Sequence, residues 1–383
     1  MSPPERSVPE LAVPDLVVPD LPGSDPGVPD LPGVLTADDV LATAASIAAA
    51  QEPSGAIPWF PGGETDPWDH VEAAMALDVG GRHREARLAY EWLRDTQHPG
   101  GGWASRYRLG AVTSPIEETH HSAYVAVGVR HHWLSTGDDA FLARMWPTVR
   151  RALDFAVAQQ APSGQVWWAV DPHGGADEQA LVTGGSSVYQ GLRAGIALAE
   201  QVGAPQPAWE LAAGHLAHAL RRHPDAFADK RRFSMDWYYP VLAGVVGGPS
   251  GHRHLRERWD EFVVAGLGAR CVSDRPWVTG AETCELALAS HAVGDDAAAA
   301  ELVAAMQHLR HDDGSYWTGL VFTDGKRWPV ECSTWTGAAV VLAVDALHGA
   351  HPRSRALSGL DLPATAEFSA GCPETAACAV AGT

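Results

Sequence analysis

A chain of 383 residues, 46% of them hydrophobic and spread evenly, has ample material for one large domain with two tails. Its formal charge of -20 argues against nucleic acid and against anionic membrane surfaces, since both would repel it. No run approaches the roughly 20 apolar residues that span a bilayer, and no basic start precedes an apolar stretch, so a cytoplasmic protein without a transmembrane segment is expected.

Residues 1–33 repeat a short unit, seen in Val8-Pro9-Glu10-Leu11, Val13-Pro14-Asp15-Leu16, Val18-Pro19-Asp20-Leu21 and Val28-Pro29-Asp30-Leu31. Proline at this density blocks both helix and ladder, so a disordered acidic tail is expected. Residues 34–350 then read as twelve helical segments, at about 36–50, 67–80, 82–97, 117–135, 138–160, 185–203, 207–222, 235–247, 250–266, 280–293, 295–310 and 332–349. Thr36 with Asp39 three residues on resembles a capping box at the first start. Short turns such as Gly80-Gly81, Gly137-Asp138 and Gly294-Asp295 make neighbours antiparallel. Even-numbered segments are apolar around most of their circumference, as in Ala338-Ala339-Val340-Val341-Leu342, whereas odd-numbered ones carry charged faces. Helices hydrophobic all round are buried. An all-α (α/α)6 toroid, twelve helices in two concentric rings, satisfies both patterns, with an open α-solenoid as the structural competitor. Residues 351–383, rich in Ala, Gly, Ser and Pro, read as a flexible C-terminal tail. The five cysteines, Cys271, Cys284, Cys332, Cys372 and Cys378, are odd in number and read as thiols.

A second pattern runs through the outer segments, which tend to end in glutamine followed by a glycine turn and a tryptophan. Gln51 leads to Gly55, Gln97 to Gly101, Gln160 to Gly164 and Gln307 to Gly314. The glycines suit a tight exit from the helix and the indoles suit packing on the next unit.

Just before or at the start of each inner segment stands a polar, aromatic cluster. The six are Thr65-Asp66-Pro67-Trp68-Asp69-His70, Glu117-Glu118-Thr119-His120-His121, Thr183-Gly184-Gly185-Ser186-Ser187, Ser234-Met235-Asp236-Trp237-Tyr238-Tyr239, Thr279-Gly280-Ala281-Glu282 and Glu331-Cys332-Ser333-Thr334-Trp335. A closed ring brings all six to one mouth, as a pocket of carboxylate, hydroxyl and indole groups. Candidate substrate-binding residues are therefore Trp68, Asp69, Glu117, Glu118, His120, Asp236, Trp237, Tyr238, Glu282 and Trp317. Helix N-termini carry partial positive charge, which is expected to hold Asp69, Glu282 and Glu331 ionised. Simple N-capping is the competing role for Asp66, Asp236, Ser186 and Thr279. His120, His121, His131 and His132 suggest metal by number alone, but adjacent histidines on a helix diverge by about 100°. No metal and no cofactor are expected.

Two stretches carry family resemblances. Asp69 to Trp103, with Tyr90-Glu91-Trp92-Leu93 leading into Gln97-His98-Pro99-Gly100-Gly101-Gly102-Trp103, resembles a repeat of squalene cyclases and prenyltransferase β subunits. Ser135-Thr136-Gly137-Asp138-Asp139-Ala140-Phe141-Leu142, continuing to Phe155, resembles the helix turn of six-hairpin glycosidases, glucoamylases included. The first family implies either an Asp-x-Cys plus His zinc set or an Asp-x-Asp-Asp acid, and the folded part contains neither. The second implies two carboxyl groups flanking a sugar, one an acid and one ionised. It points to Glu178, with Asp177 as substitute, as the acid upstream of Gly185-Ser186-Ser187. Thr318 stands where that family carries its base, so Glu331 or Asp324 would have to serve. The expectation is a glycoside hydrolase acting on a small-molecule or oligosaccharide substrate, with a terpenoid cyclase and a non-catalytic glycan-binding toroid as alternatives.

Overall fold

The computed structural model describes residues 27–172, 175–359, 361, 362 and 365. The chain alternates between an outer and an inner ring. It starts with α1 (Ala37–Ala50) outside and α2 (Pro67–Val79) inside, followed by α3 (His83–Thr96) outside and α4 (Thr119–Thr136) inside. The pattern continues with α5 (Asp139–Ala158) outside, α6 (Val182–Gln201) inside, α7 (Pro207–Arg222) outside and α8 (Ser234–Leu242) inside. Next come α9 (Gly248–Glu257) outside, the one-turn α10 (Trp259–Phe262), α11 (Gly280–Ala292) inside, α12 (Asp296–Ala305) outside and α13 (Thr334–His348) inside. Each inner helix packs on the next, and α13 closes onto α2. The ring is an (α/α)6 toroid, and the open solenoid is excluded.

Local sequence explains the helix starts and stops. Asp66 caps α2 by accepting from the backbone N–H of Trp68 at 2.8 Å and of Asp69 at 2.9 Å, with Pro67 in the first turn where its missing N–H costs nothing. The Thr36 and Asp39 capping box forms as expected. Gly137 ends α4 in the left-handed region at φ 65.

The glutamine-glycine pattern is a staple between outer helices. The side-chain amide of Gln97 donates to Gly101 O at 2.9 Å in its own loop and to Thr148 O at 3.0 Å on α5. Gln51 bridges Gly55 and Glu85 in the same way, and Gln160 bridges Gly164 and Ala212. The glycine is needed for two reasons at once. Gly101 has φ 103, and a Cβ there would lie 2.2 Å from Arg151 O. Gly314 repeats this closeness against Ala42 of α1, where the last hairpin meets the first.

Two small antiparallel sheets form the rim ahead of the inner helices, an addition to the expected all-α pattern. One orders β1 (Ala104–Arg108), β2 (Ala111–Glu118), β3 (Ala169–Asp171) and β4 (Gly175–Asp177). The other orders β5 (Val263–Val264), β6 (Gly268–Arg270), β7 (Trp277–Thr279), β8 (Gly319–Val321) and β9 (Lys326–Arg327). Glu117 and Glu118, expected at a helix start, end β2 and pair with Val170 and Ala169, and Glu118 is at the same time the residue that leads into α4. The helix expected over 250–266 stops at Glu257, because 263 and 264 pair into the second sheet across a turn with Gly266 at φ 71.

The chain beyond 350, expected as a flexible tail, packs against the toroid in its first part. A 3-10 turn at Pro352–Arg355 is followed by backbone carbonyls that accept from α6, Leu357 O from Gln190 and Gly359 O from Arg193 at 3.2 Å. Asp361 pairs with Arg130 of α4 at 2.5 Å. Residues 1–26 of the expected acidic tail and 366–383 of the expected C-terminal tail, Cys372 and Cys378 included, lie outside the described residues.

The staple can be tested against a control that shares its backbone strain. Gly110 also has positive φ, but a Cβ there meets nothing within 4 Å. Gly101→Ala should lower stability by about 1–3 kcal/mol more than Gly110→Ala, as overpacking does; equal melting temperatures for the two variants would refute the staple.

Candidate active site

The inner helices deliver their first turns to a cavity of about 280 Å³, near the lower bound of roughly 300 Å³ for small-molecule sites. Asp66, Trp68 and Asp69 enter it from α2, Glu118, His120 and His121 from the start of α4, Thr183 and Gly184 from α6, Met235 from α8 and Trp335 from α13. Arg106 of β1 and Leu181 complete the lining.

Beneath this cavity lies a buried carboxyl pair. Glu72, one turn after Asp69, accepts from Trp68 Nε1 at 3.0 Å, Tyr124 Oη at 2.9 Å and Trp335 Nε1 at 2.9 Å. It faces Glu285 of α11, which accepts from Tyr238 Oη. Burial raises both carboxyl pKa values, and for Glu285 repulsion from Glu72 adds to the effect. Glu72 is pulled back by its donors, so Glu285 is the more strongly raised of the two.

Asp69 borders the cavity, and its pKa is well above the usual carboxylate range. Burial is the first cause, followed by repulsion from Asp66, Glu72, Glu285 and Glu282. This corrects the expectation that the helix N-terminus keeps Asp69 ionised. A helix dipole contributes at most about 2 kcal/mol, which burial among four carboxyl groups exceeds. Asp66 combines the capping role with a place in the cavity lining, and its second oxygen accepts from Trp59 Nε1.

On the α4 wall, His120 Nε2 lies 3.2 Å and His121 Nε2 3.7 Å from Glu118 Oε2. The rings do not diverge as the helical repeat suggests; their centroids are 4.6 Å apart. The three side chains therefore offer ligand atoms within 4.8 Å of one another, a set that fits a metal ion and equally a sugar hydroxyl. Burial lowers the pKa of His120 to about 4 and lowers that of His121, so both imidazoles are neutral, while burial raises Glu118. On the far side, Asp236 accepts from Thr183 Oγ1 at 2.7 Å, and burial raises its pKa. Glu282 is 5% exposed, and the Cys271 thiol beside it is pushed up by burial and by that carboxylate.

The structure gathers only part of the expected set. Trp68, Asp69, Glu118 and His120 line the cavity. Asp236 and Glu282 stand next to it, in contact with Thr183 and among the charges that act on Asp69. Tyr238 lies in the floor. Glu117 turns away to His98 Nδ1 at 2.5 Å. Trp237 is core, stacked on Phe262 with centroids 5.1 Å apart. Trp317 lines a neighbouring groove of about 490 Å³, together with Ser333 and Thr334. Asp177 and Glu178 are exposed at the end of β4, because the hairpin that carries them extends outward as the sheet edge. Asp324 is exposed in the turn between β8 and β9 and is paired with Lys326 at 2.8 Å. Glu331 is half-exposed, 3.5 Å from Thr318 Oγ1, and does not line the cavity. Glu72, Glu285 and Arg106 were not singled out from the sequence, while His121, Met235 and Trp335 stood in the mouth clusters without a role of their own. The signal for two of them was there: Asp69 with Glu72, and Glu282 with Glu285, each place carboxylates three residues apart, on one face of an otherwise apolar helix.

Among curated proteins, the chain is 54% identical over 345 residues to the MMP endo-(1,4)-3-O-methyl-alpha-D-mannosidase of Mycolicibacterium hassiacum, covering 90% of this chain and 96% of that protein. A solved glycosidase in complex with glucose superposes with TM-score 0.65 at 16% identity, over 82% of this chain and 98% of that one. A D-mannose isomerase gives 0.59 at 10% identity, over 81% and 97%, and an alpha-amylase from Clostridium perfringens 0.56 at 10%, over 80% and 97%. At such identities these structures show the fold alone. No family model matches the chain.

The floor pair gives a stability test. A carboxyl whose folded pKa is raised contributes stability that is complete below its unfolded value, near 4.5 for Glu285, and is lost as pH rises through the folded value. Glu285→Gln keeps a donor for Glu72 and an acceptor for Tyr238 but cannot ionise. Thermal unfolding followed from about pH 5 to about pH 9 should show a shallower alkaline decline in the variant; a decline as steep as in the parent would show that Glu285 does not carry the buried proton.

Proposed function

The chain belongs to the family of the Mycolicibacterium hassiacum endo-mannosidase, and from this premise we propose that it is a glycoside hydrolase cleaving internal α-(1,4) bonds in chains of 3-O-methylmannose. The observation that carries the reading is the crowding of Asp66, Asp69, Glu72, Glu282 and Glu285 around one cavity, because glycoside hydrolysis needs one carboxyl held protonated beside one that is ionised.

Asp69 is the acid of this reading. It lines the cavity, and its surroundings keep the proton available for the glycosidic oxygen of the leaving sugar. Glu282 is the partner carboxylate through which water reaches the anomeric carbon. The two stand on α2 and α11, either side of α13, whose Trp335 lines the cavity between them. Asp177, Glu178, Asp324 and Glu331 have no part in this reading. His120, His121 and Arg106 suit sugar hydroxyls, and the indoles of Trp68 and Trp335, both tied to Glu72, form fixed apolar walls. The groove beside Trp317 is lined by Ser333 and Thr334, the two residues before Trp335 of the cavity, and gives room for further sugars, as cleavage within a chain requires. The six-hairpin glycosidase resemblance belongs with this reading. A terpenoid cyclase would need a dry cavity, and here imidazole, guanidinium and carboxyl groups share the lining.

Incubation with α-(1,4)-linked 3-O-methylmannose oligosaccharides, followed by mass spectrometry, should yield shorter oligosaccharides gaining one water per cut. Intact substrate would refute the proposal. Asp69→Asn and Glu282→Gln should each lower kcat by about 10²–10⁴-fold with unchanged melting behaviour. Because Asp69 must be protonated, activity should fall as pH rises through its raised pKa; a profile without that alkaline limb would place the acid elsewhere.

A further inference from the structure

The cavity has two unlike sides. Carboxyl and imidazole groups come from α2 and α4, whereas the side built by the starts of α6 and α8 presents Leu181, Gly184 and Met235. The polar group between them, Thr183, has its hydroxyl engaged by Asp236 at 2.7 Å. Gly184 leaves open space on this side. A Cβ built there would stand 3.5 Å from His120 Nδ1 and 3.6 Å from Leu181 Cβ, at ordinary van der Waals contact, so the gap is about the size of one methyl group.

Resting on the functional reading above, we propose that Leu181, Gly184 and Met235 form a slot for the 3-O-methyl group and set the preference for the methyl ether over the free hydroxyl. A methyl ether has no proton to donate, so a slot of paired polar groups would lose its partners on binding, and an apolar slot does not. Beyond Gly184 the slot ends at His120 Nδ1, a buried ring atom with no hydrogen-bond partner among the described residues. A free hydroxyl in the slot leaves the methyl-sized gap unfilled, and a single methyl or methylene in an apolar pocket discriminates by about 10–200-fold.

The test compares kcat/KM for a 3-O-methylated and an unmethylated α-(1,4)-mannotetraose. The parent protein should prefer the methylated substrate within about 10–200-fold. Gly184→Ala fills the gap without a clash and should reduce that ratio by about tenfold or more, at an unchanged melting temperature. Met235→Gln, which places an amide in the slot, should reduce it in the same direction. An active parent without preference, or two variants that both keep the parent's ratio, overturns the slot and leaves the hydrolase reading standing. A parent that cleaves neither substrate overturns both.

Discussion

Burying charge at the axis of a helical ring is the constraint around which this molecule is built. Glu72 and Glu285 have no access to water, and five inner helices contribute to solving that problem: α2 with Trp68, α4 with Tyr124, α8 with Tyr238, α11 with Glu285 itself and α13 with Trp335. A buried carboxylate without partners costs several kcal/mol, so each of these donors is held where the charge needs it. The same bonds fix two indoles as cavity walls. The ring's interior therefore orders the site above it, and the pair supplies part of the negative field that raises the Asp69 carboxyl.

Outside the ring, geometry is set by backbone contact. At Gly55, Gly101, Gly164 and Gly314 the loop leaving one outer helix touches the main chain of the next outer helix, a distance no side chain permits. Glutamine amides bridge the same joints at three of these four positions. The antiparallel alternation of outer and inner helices puts the six inner N-termini at one mouth, and the repeated joint holds four of the six hairpin interfaces in common register.

Much of this was legible in the sequence. The alternation of all-apolar and charged-faced helices gave the two rings, and clusters such as Asp66-Pro67-Trp68-Asp69 marked the mouth. The proposed catalytic pair was not legible from the same signals. A resemblance placed the acid at Glu178, which sits on a rim hairpin whose strand pairing no helical pattern reveals. The expectation for Asp69 considered one local term, the helix dipole, because that can be read from position in a helix. Its actual state depends on Glu282 and Glu285, more than 200 residues away in the chain, and such a sum requires the closed ring. Likewise His120 and His121 converge on Glu118 through side-chain torsions that no periodicity fixes.

The asymmetry of the cavity follows from how its helices start. The starts of α2 and α4 place ionisable side chains at the mouth, so Asp66, Asp69, Glu118, His120 and His121 crowd one side and perturb one another. The start of α6 instead runs Leu181, Val182, Thr183, Gly184 and Gly185, which contributes bulk at one end, nothing at the other, and a hydroxyl already spent on Asp236. In the proposed reading the acid, Asp69, stands on the crowded side, where burial and repulsion raise its carboxyl, and its partner Glu282 comes from α11 beside the cavity. In the proposed reading, recognition of a methyl ether, which has no proton to donate, falls to the other side. A single cavity presents two unlike sides because the ring draws its lining from helices that need share nothing but their register.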